Sequence, residues 1–172
     1  MTVATATSSI SNKIRDGLET TLKADLPAML TAMNLAGIRE WNKYHRISVY
    51  VDATMLPCIG MELDSFTQPE DSFSAAGTDA VGSRIYRFGV WVVIKARNEE
   101  EAEKQLAAYV DAVAAVLDDA TNRTLGLERV MSTWPEEAFF GESIPVESDT
   151  LKAARLTVAV DYCQEIGEYT TS

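Results

Sequence analysis

The side chains best suited to nucleophilic or metal chemistry are one histidine, His45, and two cysteines, Cys58 and Cys163. One imidazole and two thiols far apart in the chain cannot make a tetrahedral zinc site unless carboxylates fill most of it. His45 stands without a second ligand cluster or a nucleophile motif beside it. Each cysteine sits in an apolar, strand-like stretch, which favours two buried thiols over a disulfide in a reducing cytoplasm. Neighbouring acids such as Asp118-Asp119 and Glu136-Glu137 fall at a helix end or in a loop. Solvated charge explains them better than a carboxylate dyad. Glu62, Asp64, Glu70, Asp71 and Asp79 miss the ligand spacing of a calcium loop. No GxxxxGK[ST], GxGxxG behind a strand, GxSxG or HExxH occurs. The expectation is a protein that is not an enzyme, with no catalytic residue, metal or cofactor.

The totals point the same way. A chain of 172 residues with 47% apolar and 24% charged side chains suits one soluble domain with a real core. No stretch is long and apolar enough to span a membrane. MTVATATSSIS lacks a basic region followed by an apolar one, so it does not read as a secretion signal. The expected organisation is a flexible N-terminal arm over 1–9, a single domain over 10–168 and a tail over 169–172. The charge of −11 is uneven: residues 1–60 carry a net +1 and residues 61–172 a net −12. Such a surface repels nucleic acid and suits a wall past which a polyanion slides without sticking.

The elements that must position these residues are organised around Arg84–Arg97, RIYRFGVWVVIKAR. Tyr86, Phe88, Val90, Val92, Ile94 and Ala96 form a wholly apolar face. Ile85, Arg87, Gly89, Trp91, Val93, Lys95 and Arg97 form a mixed one, the period-2 signature of a strand with one buried face. At roughly 3.3 Å per residue it reaches ~45 Å, far beyond a usual strand. Such a strand either overhangs its domain or serves as the spine of an assembly.

Before it, Ile10, Ile14, Leu18, Leu22, Leu26, Met29, Leu30 and Met33 trace one helical stripe, or two helices joined end to end. Ser9 or Ser11 caps the start, Asp25 with Pro27 marks a restart, and Gly37 a C-cap. REWNKYHR, Arg39–Arg46, is a basic and aromatic patch in which Trp41, Tyr44 and Arg46 are types favoured at interfaces. Ile47–Asp52 and Met55–Leu63 read as strands. Asp64–Ser83 has no period, and from Met61 to Ser83 there is no Lys or Arg. A loop that long is functional or disordered, and two readings stay open: a hairpin tip, or an arm that orders against a neighbouring subunit.

After the long strand, Asn98 caps a helix opened by Glu99, Glu100 and Glu101, with an apolar face of Ala102, Leu106, Tyr109, Val110, Val113, Val116 and Leu117. Leu125–Trp134 reads as a strand. Pro135–Thr150 reads as a second acidic loop, with Glu136, Glu137, Glu142, Glu147, Asp149 and an unanchored Phe139-Phe140 pair. Ala153–Gln164 closes the fold, with Ala154, Leu156, Val158, Val160 and Tyr162 inward. The expected class is α+β: a mainly antiparallel sheet with one long strand, packed against two helices, with two long acidic loops.

A leading helix, a long YRFGVWVVIKAR strand running into the acid-started helix EEEAEKQLAAYVDAVAAVLDD, and the closing strand ARLTVAVDYCQEIGEY together resemble the tail-terminator (tail-completion) proteins of long-tailed bacteriophages, over about Ile10–Glu168. This chain is longer than that family's pattern, the excess lying in the two acidic loops. The resemblance implies a non-catalytic virion protein of the tail and neck, assembled in the host cytoplasm. It implies a homo-oligomeric ring, a hexamer, on the tail tube protein, ending tube growth and meeting the head–tail connector. DNA passes through without specific binding, and no membrane is involved. On this expectation Trp41, Tyr44, Arg46, Arg87, Trp91, Lys95, Phe139 and Phe140 meet neighbouring subunits. Glu62, Asp64, Glu70, Asp71, Asp79, Glu136, Glu137 and Glu142 face the lumen or the tube. Two alternatives stay open: another neck or tail-tube component, or a small soluble ligand-binding α+β domain.

Overall fold

The alternation along Arg84–Arg97 produces the strand it predicts, and every member of its apolar face is buried. The computed structural model describes residues 9–42, 56–67 and 81–165. The order is α1 (Ile10–Ala32), β1 (Glu40–Asn42), β2 (Cys58–Thr67), β3 (Val81–Ala96), α2 (Glu99–Asp118), β4 (Val130–Phe140), β5 (Ile144–Val146) and β6 (Asp149–Glu165). One sheet runs β1-β2-β3-β6-β4, with β5 pairing β6 alongside. Only β1 on β2 is parallel; the rest is antiparallel. The fold is therefore α+β, with a mainly antiparallel sheet and two helices. The strand expected over Ile47–Asp52, the residues Tyr44, His45 and Arg46, the acids Glu70, Asp71 and Asp79, and most of the N-terminal arm and the tail lie outside the described residues.

Both helices pack on one face of the sheet. Ile10, Ile14, Leu18, Leu22, Leu26 and Leu30 of α1 join Leu106, Tyr109, Val113 and Leu117 of α2. Beneath them lie Ile59, Met61, Phe88, Val90, Val92, Ile94, Leu156, Val158 and Val160. Each such side chain contributes about 1.5–3 kcal/mol on leaving water, so this layer dominates stability. Gly17, in mid-α1, lets the turn after α2 press close: a Cβ there would meet Leu125 Cβ at 3.1 Å and Leu127 Cδ1 at 3.0 Å. Lys152 also lies on the helix-covered face, 5% exposed, and pairs with Glu103 of α2.

Several boundaries differ from those the sequence predicts. α1 is continuous through Pro27, with no restart at Asp25. Asp25 Oδ2 instead accepts a hydrogen bond from Asn122 Nδ2 at 2.8 Å. The helix closes at Asn34 rather than Gly37. Asn34 adopts φ 56°, Asn34 N–H bonds Thr31 O at 3.1 Å and Leu35 N–H bonds Leu30 O at 2.8 Å. That paired closure is the Schellman arrangement, which Asn tolerates because its short side chain accepts the left-handed region.

The supposed loops are partly strand. β2 starts after Pro57 and runs to Thr67, and β3 begins at Val81, so both edges of the first acidic stretch are sheet. Residues 125–129 turn, with Leu125 at φ 51° and Gly126 at φ 67°, and β4 starts only at Val130. It then continues to Phe140, and β5 and the start of β6 take up half of what remains of the second acidic stretch. Two register shifts, at Met131 and Glu136, break the alternation and hide this strand from a period-2 reading. Nor does β3 overhang: it is the sheet's centre, paired with β6 along all its length and with β2 from Ile85 to Val93.

Candidate functional site

Because both helices take one face, the opposite face of the sheet has no helix on it among the described residues. At one end it carries a small apolar cluster: Leu56, Cys58, Val93 and Leu151, with Trp91, Val146 and Ala153 around them. Burial there, with Glu40 nearby, pushes the Cys58 thiol up to about 12, so it is inert as a nucleophile at neutral pH. Both cysteines are free thiols. Among the described residues no three His, Cys, Asp or Glu side chains converge to hold a metal ion.

The remainder of this face is a network of charges around the Trp91 indole. Trp91 Nε1–H donates to Glu62 Oε1 at 2.8 Å. The same oxygen lies 3.5 Å from Arg155 Nε, and Arg155 also pairs with Asp64 and donates to Thr157 Oγ1 at 3.1 Å. Arg87 forks onto Glu136 at 2.9 and 3.0 Å and donates from Nη1 to Thr67 Oγ1 at 3.1 Å. The hydrogen bond to Glu136 raises the Arg87 pKa above its ordinary value. Lys95 pairs with Asp149 at 3.0 Å, and Ser83 Oγ donates to Asp161. Three cations of this face, Arg87, Lys95 and Arg155, are therefore already held by acids of their own chain.

The residues expected to act as separate groups are thus brought together. Arg87, Trp91 and Lys95, expected to meet a neighbour, are bonded to Glu136, Glu62 and Asp149, two of which were expected to face a lumen. Asp64 closes on Arg155, a residue that the strand pattern did not single out. Trp41 is half-buried against the main core, with Lys23 Nζ 5.6 Å from its ring centroid. Phe139 and Phe140 lie on the outer half of β4, 68% and 41% exposed, and Met131 on the same strand is 62% exposed. Glu137 and Glu142 flank them and are exposed too. Among the described residues β4 is the last strand of the sheet, so this exposed aromatic and acidic stretch is also an edge of the described sheet.

Among the described residues the arrangement offers a broad, half-wet surface and an edge. Large exposed apolar side chains rimmed by charge mark surfaces that meet other macromolecules. No family model matches the chain, and no curated protein does. One solved structure with a similar chain is titled "Virion of native gene transfer agent (GTA) particle". The match has 16% identity, covers 90% of this chain and 98% of that chain, and has a TM-score of 0.47, a likeness too slight to carry a functional argument.

Proposed function

We propose that this protein is a structural virion component of the phage tail and neck: a tail terminator whose copies close into a ring. It acts without catalysis, ends tube growth and offers a surface to the head connector. The observation that carries the reading is the one-sided sheet. Helices cover one face, while the other, bearing Trp91 and the paired charges, runs out to an edge strand with exposed Phe139 and Phe140. The order of elements, matching the tail-terminator pattern over about Ile10–Glu168, supports the same reading. The acidic balance of −11 is compatible with DNA passing through a lumen without adhering.

On this reading Trp41, Arg87, Trp91, Lys95, Phe139 and Phe140 lie at or beneath contacts between copies, and Glu137 and Glu142 face the tube or the lumen. The test is the native mass across a concentration series, with electron microscopy of the same sample. A terminator gives one closed species at six times the 18.9 kDa chain mass. Open stacks of growing length assign a tube subunit instead. A monomer at high concentration, with no ring on purified tails, overturns the proposal.

A further inference from the structure

Two arginines lie flat across the uncovered face, and each reaches past the neighbouring strand to the next. Arg155 starts on β6 and crosses β3 at Gly89, where a Cβ would sit 2.6 Å from its Nε. It ends on Glu62 and Asp64 of β2. Arg87 starts on β3, passes β6 where its register partner is the small, buried Ala159, and ends on Glu136 of β4. The far anchors share a feature. Asp64 is skipped between Leu63 and Ser65 in the β2–β3 register, and Glu136 is skipped between Pro135 and Glu137 in the β4–β6 register. Each guanidinium therefore fastens the unpaired residue of a bulge.

On β2 the two arginines meet the outer half of the strand, Arg155 through Asp64 and Arg87 through Thr67. Cys58–Met61 is buried, but from Leu63 to Thr67 every residue is exposed. Beyond the backbone ladder, this half is held by polar and ring contacts rather than by burial. Among the described residues they include Asp64 on Arg155, Thr67 on Arg87, and Phe66 against Tyr86 and Arg84 with ring and cation distances of 5.8 and 5.5 Å. We infer that Arg155 is an ionic strap which, helped by the Arg87–Thr67 hydrogen bond, fastens Leu63–Thr67 to the sheet, and that competition for its guanidinium by salt or by carboxylates of another surface releases this half while the core stays folded. Half-exposed ion pairs are screened by salt, whereas the apolar layer on the other face is not. A strand half with little buried apolar contact is also where local opening comes cheapest.

This inference concerns one chain and does not rest on the ring reading. The test is hydrogen–deuterium exchange of the full-length protein, comparing peptides over 62–67 with peptides over α2. In Arg155→Gln the 62–67 amides exchange about threefold to tenfold faster, with α2 unchanged. Gly89→Ala, which intrudes on the arginine without touching its charge, reproduces the effect. Wild type in about 1 M NaCl moves the same way. Unchanged exchange over 62–67 in both variants overturns the inference. So does acceleration that is equal over 62–67 and α2, since the arginines then support the whole fold rather than this segment. Native mass on the same samples reports on the ring separately.

Discussion

Cys58 shows how a residue that looks reactive becomes structural. Its pKa is raised from an ordinary 9.0 to about 12 by burial first and by Glu40 second. A thiol whose folded pKa lies above its unfolded one contributes stability that is whole below pH 9 and is lost as pH climbs towards about 12. Tyr109, buried with its hydroxyl donating to Ala36 O at 2.8 Å, is shifted in the same direction. The expected outcome is a denaturation midpoint that falls as pH rises above about 9, less steeply in Cys58→Ala. Lys152 gives a second prediction. It is 5% exposed and held by Glu103, so Glu103→Gln strands a buried cation. That variant costs about 1–3 kcal/mol in urea titrations, whereas Lys152→Met, which keeps the stem, costs under about 1 kcal/mol. The residues most informative about the uncovered face were the hardest to see in the sequence. Gly89 stood in the mixed face of the predicted strand with nothing local to mark it. Its meaning needed the register, because Arg155 is brought over it only by pairing between β3 and β6.

At the scale of elements, legibility followed local chemistry. α2 is written in its own residues: Asn98 Oδ1 accepts from Glu101 N–H at 2.9 Å, and three acids meet the positive end of the helix. Asn98→Ala is expected to cost about 1 kcal/mol by chemical denaturation. At the end of α1, Asn34→Gly relieves a positive φ and gains about 0.5–1 kcal/mol, a sign that a mere solvent-facing loop would not show. The faces of β3 and β6 were equally plain, since unbroken alternation survives in strands flanked on both edges. β4 was not. Its bulges shift the alternation, and its outer half, Glu136–Phe140, is wholly exposed, so nothing apolar and periodic remained to mark it. α1 was right in its stripe and in its Ser9 cap, and wrong in its restart, because tertiary packing carried the helix through Pro27, and in its C-terminal Gly37.

For the whole molecule, the class of fold was legible because one helix face and one sheet face each declared themselves. The layout of the uncovered face was not, because charge pairing across strands depends on strand order, which no local pattern encodes. If that face and the β4 edge meet other copies, Phe139→Ser with Phe140→Ser leaves the thermal midpoint of the isolated chain within about 2 °C of wild type, since both side chains are already exposed. The same pair of changes shifts the native mass towards smaller species. A loss of folding in that variant instead places the two rings inside the chain's own core.

The central partnership of β3 with β6 also sets when the molecule can take shape. Ser83 and Asp161, which meet across it, are 78 positions apart, and a whole helix and two further strands are made in between. During synthesis β3 therefore emerges with one 16-residue flank bare, and stays so until β6 is made. Closure over such separations is slow, so nascent chains of this protein are exposed to mispairing for longer than their modest size implies. A ribosome stalled just before Asp149 would hold a helix-bearing half-sheet that chaperones, rather than its own β6, must cover.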